Sequence, residues 1–152
     1  MKENIFPEKE DALDSPGFLF WKISNEWQKR VNKCLSNFNL THTQFVLIAG
    51  IRYLSERGKE VSQKNLADHA STDQMTTSTV VRTLIQKKYV DRKSSETDTR
   101  MKLLSLTNLG MKILKKSIKE VQEIDEIIFS IPGKEQAKWM QLLKRIYQNN
   151  CV

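Results

Sequence analysis

Between residues 76 and 82 the chain reads TTSTVVR. Thr76, Thr77, Ser78 and Thr79 supply four hydroxyls in succession, and Arg82 adds a guanidinium about one helical turn later. Small polar side chains fit a nucleic-acid groove and can hydrogen-bond base edges or phosphates. An Arg can grip guanine in bidentate fashion or clamp a phosphate. A second cluster follows in YVDRKSSETDTRMKLLSLT at 89–107, where Lys93 precedes a polar tip that holds Asp98 and Arg100. An Arg on such a tip can enter a narrow minor groove, where the potential is most negative. Asp98 is expected to shape the tip, either by pairing with Arg100 or another basic residue, or by accepting backbone N–H bonds.

The charge distribution agrees with a polyanionic partner. The formal net charge is +7. From Arg82 to Lys102 seven basic residues stand against three acidic ones, whereas residues 1–55 are nearly balanced, seven against six. The excess is therefore local to the two clusters, which is what an electrostatic footprint requires.

No catalytic constellation accompanies them. The sequence has no Gly-rich phosphate loop and no nucleophile elbow, and His42 has no nucleophile beside it in sequence. His42 and His69 are far apart, as are Cys34 and Cys151, so no metal ligand set and no cofactor are expected. Two distant cysteines also make no disulfide framework, which favours a reduced, cytoplasmic setting. The N-terminus is acidic without an apolar segment, and no run is long enough to span a membrane.

With 152 residues, 39% of them hydrophobic and 28% charged, the chain suits one globular domain. Residues 1–14 read as a flexible arm. Ser15-Pro16 starts a first helix, residues 15–38, with Phe20, Ile23, Trp27, Val31, Leu35 and Phe38 at helical spacing. Thr41 and Gln44 fit a capping box for a second helix with Phe45, Leu47, Ile48, Ile51 and Leu54 inward. Ser62 caps a short third helix, and Thr76 is expected to cap a fourth whose stripe is Val80, Val81, Leu84 and Ile85. Thr77, Ser78, Arg82 and Gln86 are then expected on its free side. Two short helices and a brief turn make a helix-turn-helix, and a hairpin directly after it makes a wing. Thr107 caps a long fifth helix, Ile131-Pro132-Gly133 breaks it, and a sixth carries Trp139, Leu142, Leu143 and Ile146. The fold class is therefore mainly α with a small β-hairpin.

Residues 40–51 (LTHTQFVLIAGI), 61–70 (VSQKNLADHA), 76–93 and DTRMKLLSLTNLG at 98–110 resemble the MarR family of winged-helix transcription factors. The resemblance implies a single domain in which residues 40–106 form the DNA-binding lobe and residues 15–38 and 107–150 form a homodimer. It implies a pseudo-palindromic double-stranded DNA operator, and most often repression released by a small aromatic or phenolic effector. Trp21, Trp27, His42, Phe45 and Ile48 are the candidate effector pocket by position, and each taken singly reads more readily as plain core. The reactive cysteine of oxidation-sensing members lies near the start of the first helix. Cys34 lies near its end, and is expected to be a dull packing thiol. The competing reading is a winged helix that binds protein; the polar TTST start argues against it.

Overall fold

The computed structural model describes residues 11–95 and 102–151. Six helices and one hairpin follow in order: α1 Pro16–Ser36, α2 His42–Glu56, α3 Gln63–Ala70, α4 Gln74–Gln86, β1 Val90–Ser94, β2 Lys102–Leu106, α5 Asn108–Phe129 and α6 Glu135–Asn150. Most boundaries follow from local capping. The Ser15 side chain accepts from Phe18 N–H at the start of α1, behind Pro16 at its first position. Thr41 and Gln44 form the reciprocal capping box of α2, with N–H to oxygen distances of 3.3 and 3.2 Å. Ser62 caps α3 and Thr107 caps α5. The arm expected over residues 1–14 is structured in its described part: Ala12–Asp14 is a single 3-10 turn capped by Asp11 and packed against α1.

The core is built around α2. Leu47, Ile48 and Ile51 are fully buried there, against Val31 and Leu35 of α1, Leu66 of α3, and Val81 and Leu84 of α4. Leu114 and Val121 of α5 close the same cluster. Val90 of β1 and Leu104 of β2 attach the hairpin to it. β1 and β2 pair antiparallel, from Val90 opposite Leu106 to Ser94 opposite Lys102. Leucines in β2 have modest strand propensity, but Leu104 is buried and Leu106, opposite buried Val90, is half-buried, which anchors the base of the ladder. Val61 adds an edge contact by accepting from Leu104 N–H at 2.7 Å.

The join between hairpin and α5 is unusually close. Thr107 Oγ1 donates to Lys88 O at 2.7 Å and accepts from Gly110 N–H at 2.9 Å. A Cβ built on Gly110 would lie 2.0 Å from Tyr89 O, so only glycine lets α5 start against this carbonyl. The chain thereby fixes the long helix rigidly to the base of the hairpin and the end of α4.

Two regions bury little. None of the described residues of α6 is buried. In the first half of α1, Phe20 is 63% exposed, and Phe18 and Leu19 are exposed beside it. The sequence expected Phe20 and Ile23 in the helix stripe, and they are; the stripe simply continues past the core of one chain.

Candidate nucleic-acid interface

α4 begins three residues before the position expected from its threonines. Asp73, not Thr76, is the N-cap, accepting from Thr76 N–H at 2.7 Å. The Thr76 side chain, and then its backbone N–H, hold the Asp73 carboxyl below the usual carboxylate range. A carboxylate is the stronger acceptor for a helix start, and it wins over a hydroxyl three residues on. The earlier start adds Gln74, Met75 and Thr76 to the helix. Thr77, expected on the free side, is 0% exposed; its hydroxyl donates to Asp73 O at 2.9 Å and lies 2.8 Å from Thr72 Oγ1. It is a packing residue, sharing the buried face with Val81 and Leu84 at spacings of four and three. That spacing was present in the sequence and would have shown it.

The free face of α4 carries Met75, Thr76, Thr79, Arg82 and Gln86, all exposed, with Ser78 at its margin and half-buried. Arg82 makes no hydrogen bond or ion pair with another described residue, so its guanidinium is available. Met75 and Gln86 complete this face although the sequence reading assigned Met75 no role. Lys87, one residue past the helix, is not part of it: its ammonium donates to Asn39 O at 2.6 Å and Gln44 Oε1 at 3.0 Å. It ties the end of α4 to the capping box of α2.

The hairpin stands beside α3. Arg92 donates to Gln63 Oε1 at 3.1 Å, joining β1 to the first turn of that helix. Lys102 Nζ donates to Ser94 Oγ at 2.7 Å across the strands. Lys93 is exposed on β1. Asp98 and Arg100 lie outside the described residues. The structure thus brings together Thr76, Thr79, Arg82 and Lys93 on exposed surface of the lobe, with Ser78 at the edge.

The five pocket candidates divide. Trp27 and His42 meet edge-to-face, with ring centroids 5.0 Å apart, where α1, α2 and α5 converge. Trp27 Nε1 donates to Asp125 Oδ1 at 2.7 Å. Burial holds the His42 imidazole below its ordinary pKa, with Asp125 pulling the other way, so the ring is neutral at pH 7. Phe45 and Ile48, by contrast, are buried core residues. Trp21 sits nearly two turns before Trp27, 61% exposed and stacked on Phe18. Hydrophobic residues on one helix share a stripe, but α2 covers only its last part, so Trp21 and Trp27 differ in exposure although position groups them.

Cys34 is half-buried, and its thiol donates to Glu120 Oε2 at 3.4 Å. Burial, then the Glu120 carboxylate, push its pKa up to about 11. The thiolate is the reactive form. Alkylation of Cys34 at pH 8 is therefore expected to run about a hundredfold slower than that of a free thiol, and more slowly than at the exposed Cys151. Glu120→Gln removes the like charge, so it should lower the pKa and speed Cys34. Equal rates at the two cysteines, read by mass spectrometry of peptides, would contradict this arrangement.

A helix-turn-helix with a free polar and cationic recognition face, followed by a basic hairpin, defines a winged-helix DNA-binding protein. The model of the MarR family matches residues 40–102. The chain is 40% identical over 122 residues to the HTH-type transcriptional regulator YdcH of Bacillus subtilis, covering 80% of this chain and 83% of that protein. In fold it is similar to MepR of S. aureus in complex with DNA, with a TM-score of 0.79, 24% identity, and coverage of 89% of this chain and 98% of that one. It is similar likewise to CouR of Rhodococcus jostii RHA1 bound to p-coumaroyl-CoA, with a TM-score of 0.77, 20% identity, and coverage of 94% and 98%. The chain belongs to the MarR family and is a DNA-binding transcriptional regulator.

Proposed function

We propose that the protein is a cytoplasmic, homodimeric repressor that occupies a pseudo-palindromic operator and leaves it when a small aromatic or phenolic molecule binds. It regulates by occupancy and catalyses nothing. The observation that carries the reading is the free face of α4: Thr76, Thr79 and Arg82 are exposed on a helix whose opposite face is packed into the core. Ser78 at the margin, Lys93 on the hairpin and Arg100 in the expected tip extend the contact surface to the flanking backbone and minor groove, with Asp98 shaping the tip.

The dimer is supported by the apolar surface that one chain leaves uncovered. Leu19 and Ile23 of α1, Ile128 and Phe129 of α5, Ile131 of the following connection and Trp139 of α6 line a groove of about 460 Å3. Trp139 Nε1 is buried without a hydrogen-bond partner among the described residues. Ile146 is 58% exposed, and Leu142 and Tyr147 stand open beside it on α6. Contiguous apolar surface of this kind marks an interaction face, and a symmetric pair would space two α4 helices for successive major grooves.

For the effector, the Trp27–His42 pair offers an aromatic wall at the junction of dimer helices and DNA lobe. CouR binds p-coumaroyl-CoA, an aromatic ligand of the same general kind. His42 opens α2, whose cap is held by Lys87 at the end of α4, so a ligand at His42 can shift the recognition helix.

The test is binding to duplex DNA from just upstream of its own gene, against a scrambled duplex of equal composition, at low and near-physiological salt. A preference of several orders of magnitude that survives the higher salt is expected. Equal binding that collapses with salt would sink specific recognition. Sedimentation checks the dimer: the full chain should sediment as a dimer, and a chain ending at Ile131 should not. A stable dimer of the shortened chain would exclude α6 from the interface.

A further inference from the structure

We propose that Met75 reads the 5-methyl group of a thymine in the operator's major groove, one in each half-site. This rests on the DNA-binding reading of α4 and adds a base preference to it. Met75 is the second residue of α4 and is 81% exposed, more than any other large hydrophobic residue described. It shares the free face with Thr76, Thr79 and Arg82, and it points away from the buried line of Thr77, Val81 and Leu84. Nothing in the core uses it.

Helix formation does not require a methionine there. Gln, Lys or Glu serve an exposed helical position equally well and keep no apolar surface in water. The first turn of a recognition helix is the part that reaches base edges. The major groove offers donors and acceptors at every base pair but only one apolar feature, the thymine C5 methyl. The unbranched, polarisable thioether can adjust to meet it. A protein partner fits the surroundings less well. Met75 stands among hydroxyls and a guanidinium, not within a contiguous apolar patch.

The experiment starts by selecting tight-binding duplexes from a randomised pool with the full-length protein. Thymines of the selected duplex are then replaced by deoxyuridine, one symmetric pair at a time. This removes only the methyl group and leaves base pairing and the O4 acceptor intact. Wild-type and Met75→Ala proteins are titrated against each duplex. Burying one methyl group corresponds to about a fourfold change, so two half-sites give about fifteenfold. One deoxyuridine pair is expected to weaken the wild type by that factor and leave Met75→Ala unaffected. Met75→Ala should itself bind the thymine duplex about as weakly as the wild type binds the deoxyuridine duplex. Equal losses by both proteins would assign the methyl to another residue and overturn the proposal. No loss at any thymine pair would overturn it too. Failure of the pool to enrich any sequence would instead remove the DNA reading on which it stands. Met75→Ala removes only exposed atoms, so its fold is expected to be intact, and circular dichroism checks that.

Discussion

Replacing Gly110 with alanine is expected to lower the thermal midpoint by about 10 °C. The added Cβ would stand 2.0 Å from Tyr89 O, a backbone atom that no rotamer change can move. The same carbonyl accepts from Thr107 N–H at 3.1 Å, so it is held in place from the other side. Either α5 lifts off the hairpin base or the Thr107 contacts break. Overpacking of this sort costs about 3 kcal/mol at the upper end of its usual range, and about 3 °C per kcal/mol is ordinary for a chain of this length. The sign is what makes the result decisive. By helix propensity alone, Gly to Ala inside a helix should stabilise by about 1 kcal/mol. A raised midpoint in matched thermal scans would mean the close approach is not real. Protein concentration must be the same in both scans, because dimerisation adds mass-action stability.

Arg82→Ala is expected to weaken operator binding on the order of a thousandfold, at about 2 kcal/mol, the middle of the usual range, for each of two symmetric contacts. Folding should be unchanged, since the guanidinium is exposed and bonds no described residue. Two measurements separate its roles. If Arg82 grips a guanine, the loss falls mainly on one base pair of the site, and substitutions there stop mattering. If it clamps a phosphate, all sequences weaken together and the salt dependence becomes shallower by about one unit per contact. Wild-type affinity in the variant would take this turn of α4 out of the interface. Thr79→Ala, one turn earlier, should give a smaller loss, because a neutral hydroxyl makes a weaker hydrogen bond than a cation.

Much of this molecule is local and so could be read directly. Thr41 with Gln44, Ser62, and Thr107 are caps, and a cap acts over three residues, so α2, α3 and α5 began where the residues said. The two strands stood where the runs at 89–93 and 101–106 put them, while their register is read from the structure. The family resemblance rested on the same segments, and the matching model and the Bacillus relative bear it out. α4 was misplaced because two adequate caps, Asp73 and Thr76, stand three residues apart, and the carboxylate won. Thr77 belongs to the core for a separate reason, its spacing of four and seven residues from Val81 and Leu84.

The remaining decisions belonged to contacts between distant residues. Lys87 reads as one more basic surface residue until Asn39 and Gln44, more than forty positions earlier, arrive to accept its protons. The position of Cys34 beside an apolar stripe pointed to a dull thiol, and tertiary packing adds the reasons: burial first, then Glu120 of α5. Phe45, Ile48, Trp21 and Trp27 look alike in sequence, yet two are sealed in the core, one stands in the open and one holds Asp125. The sequence by itself determined the order of elements, their caps, the basic segment and the polar face that makes a DNA reader. Tertiary structure decided which members of each face stay exposed, because exposure depends on where the neighbouring helix ends, and periodicity carries no information about that.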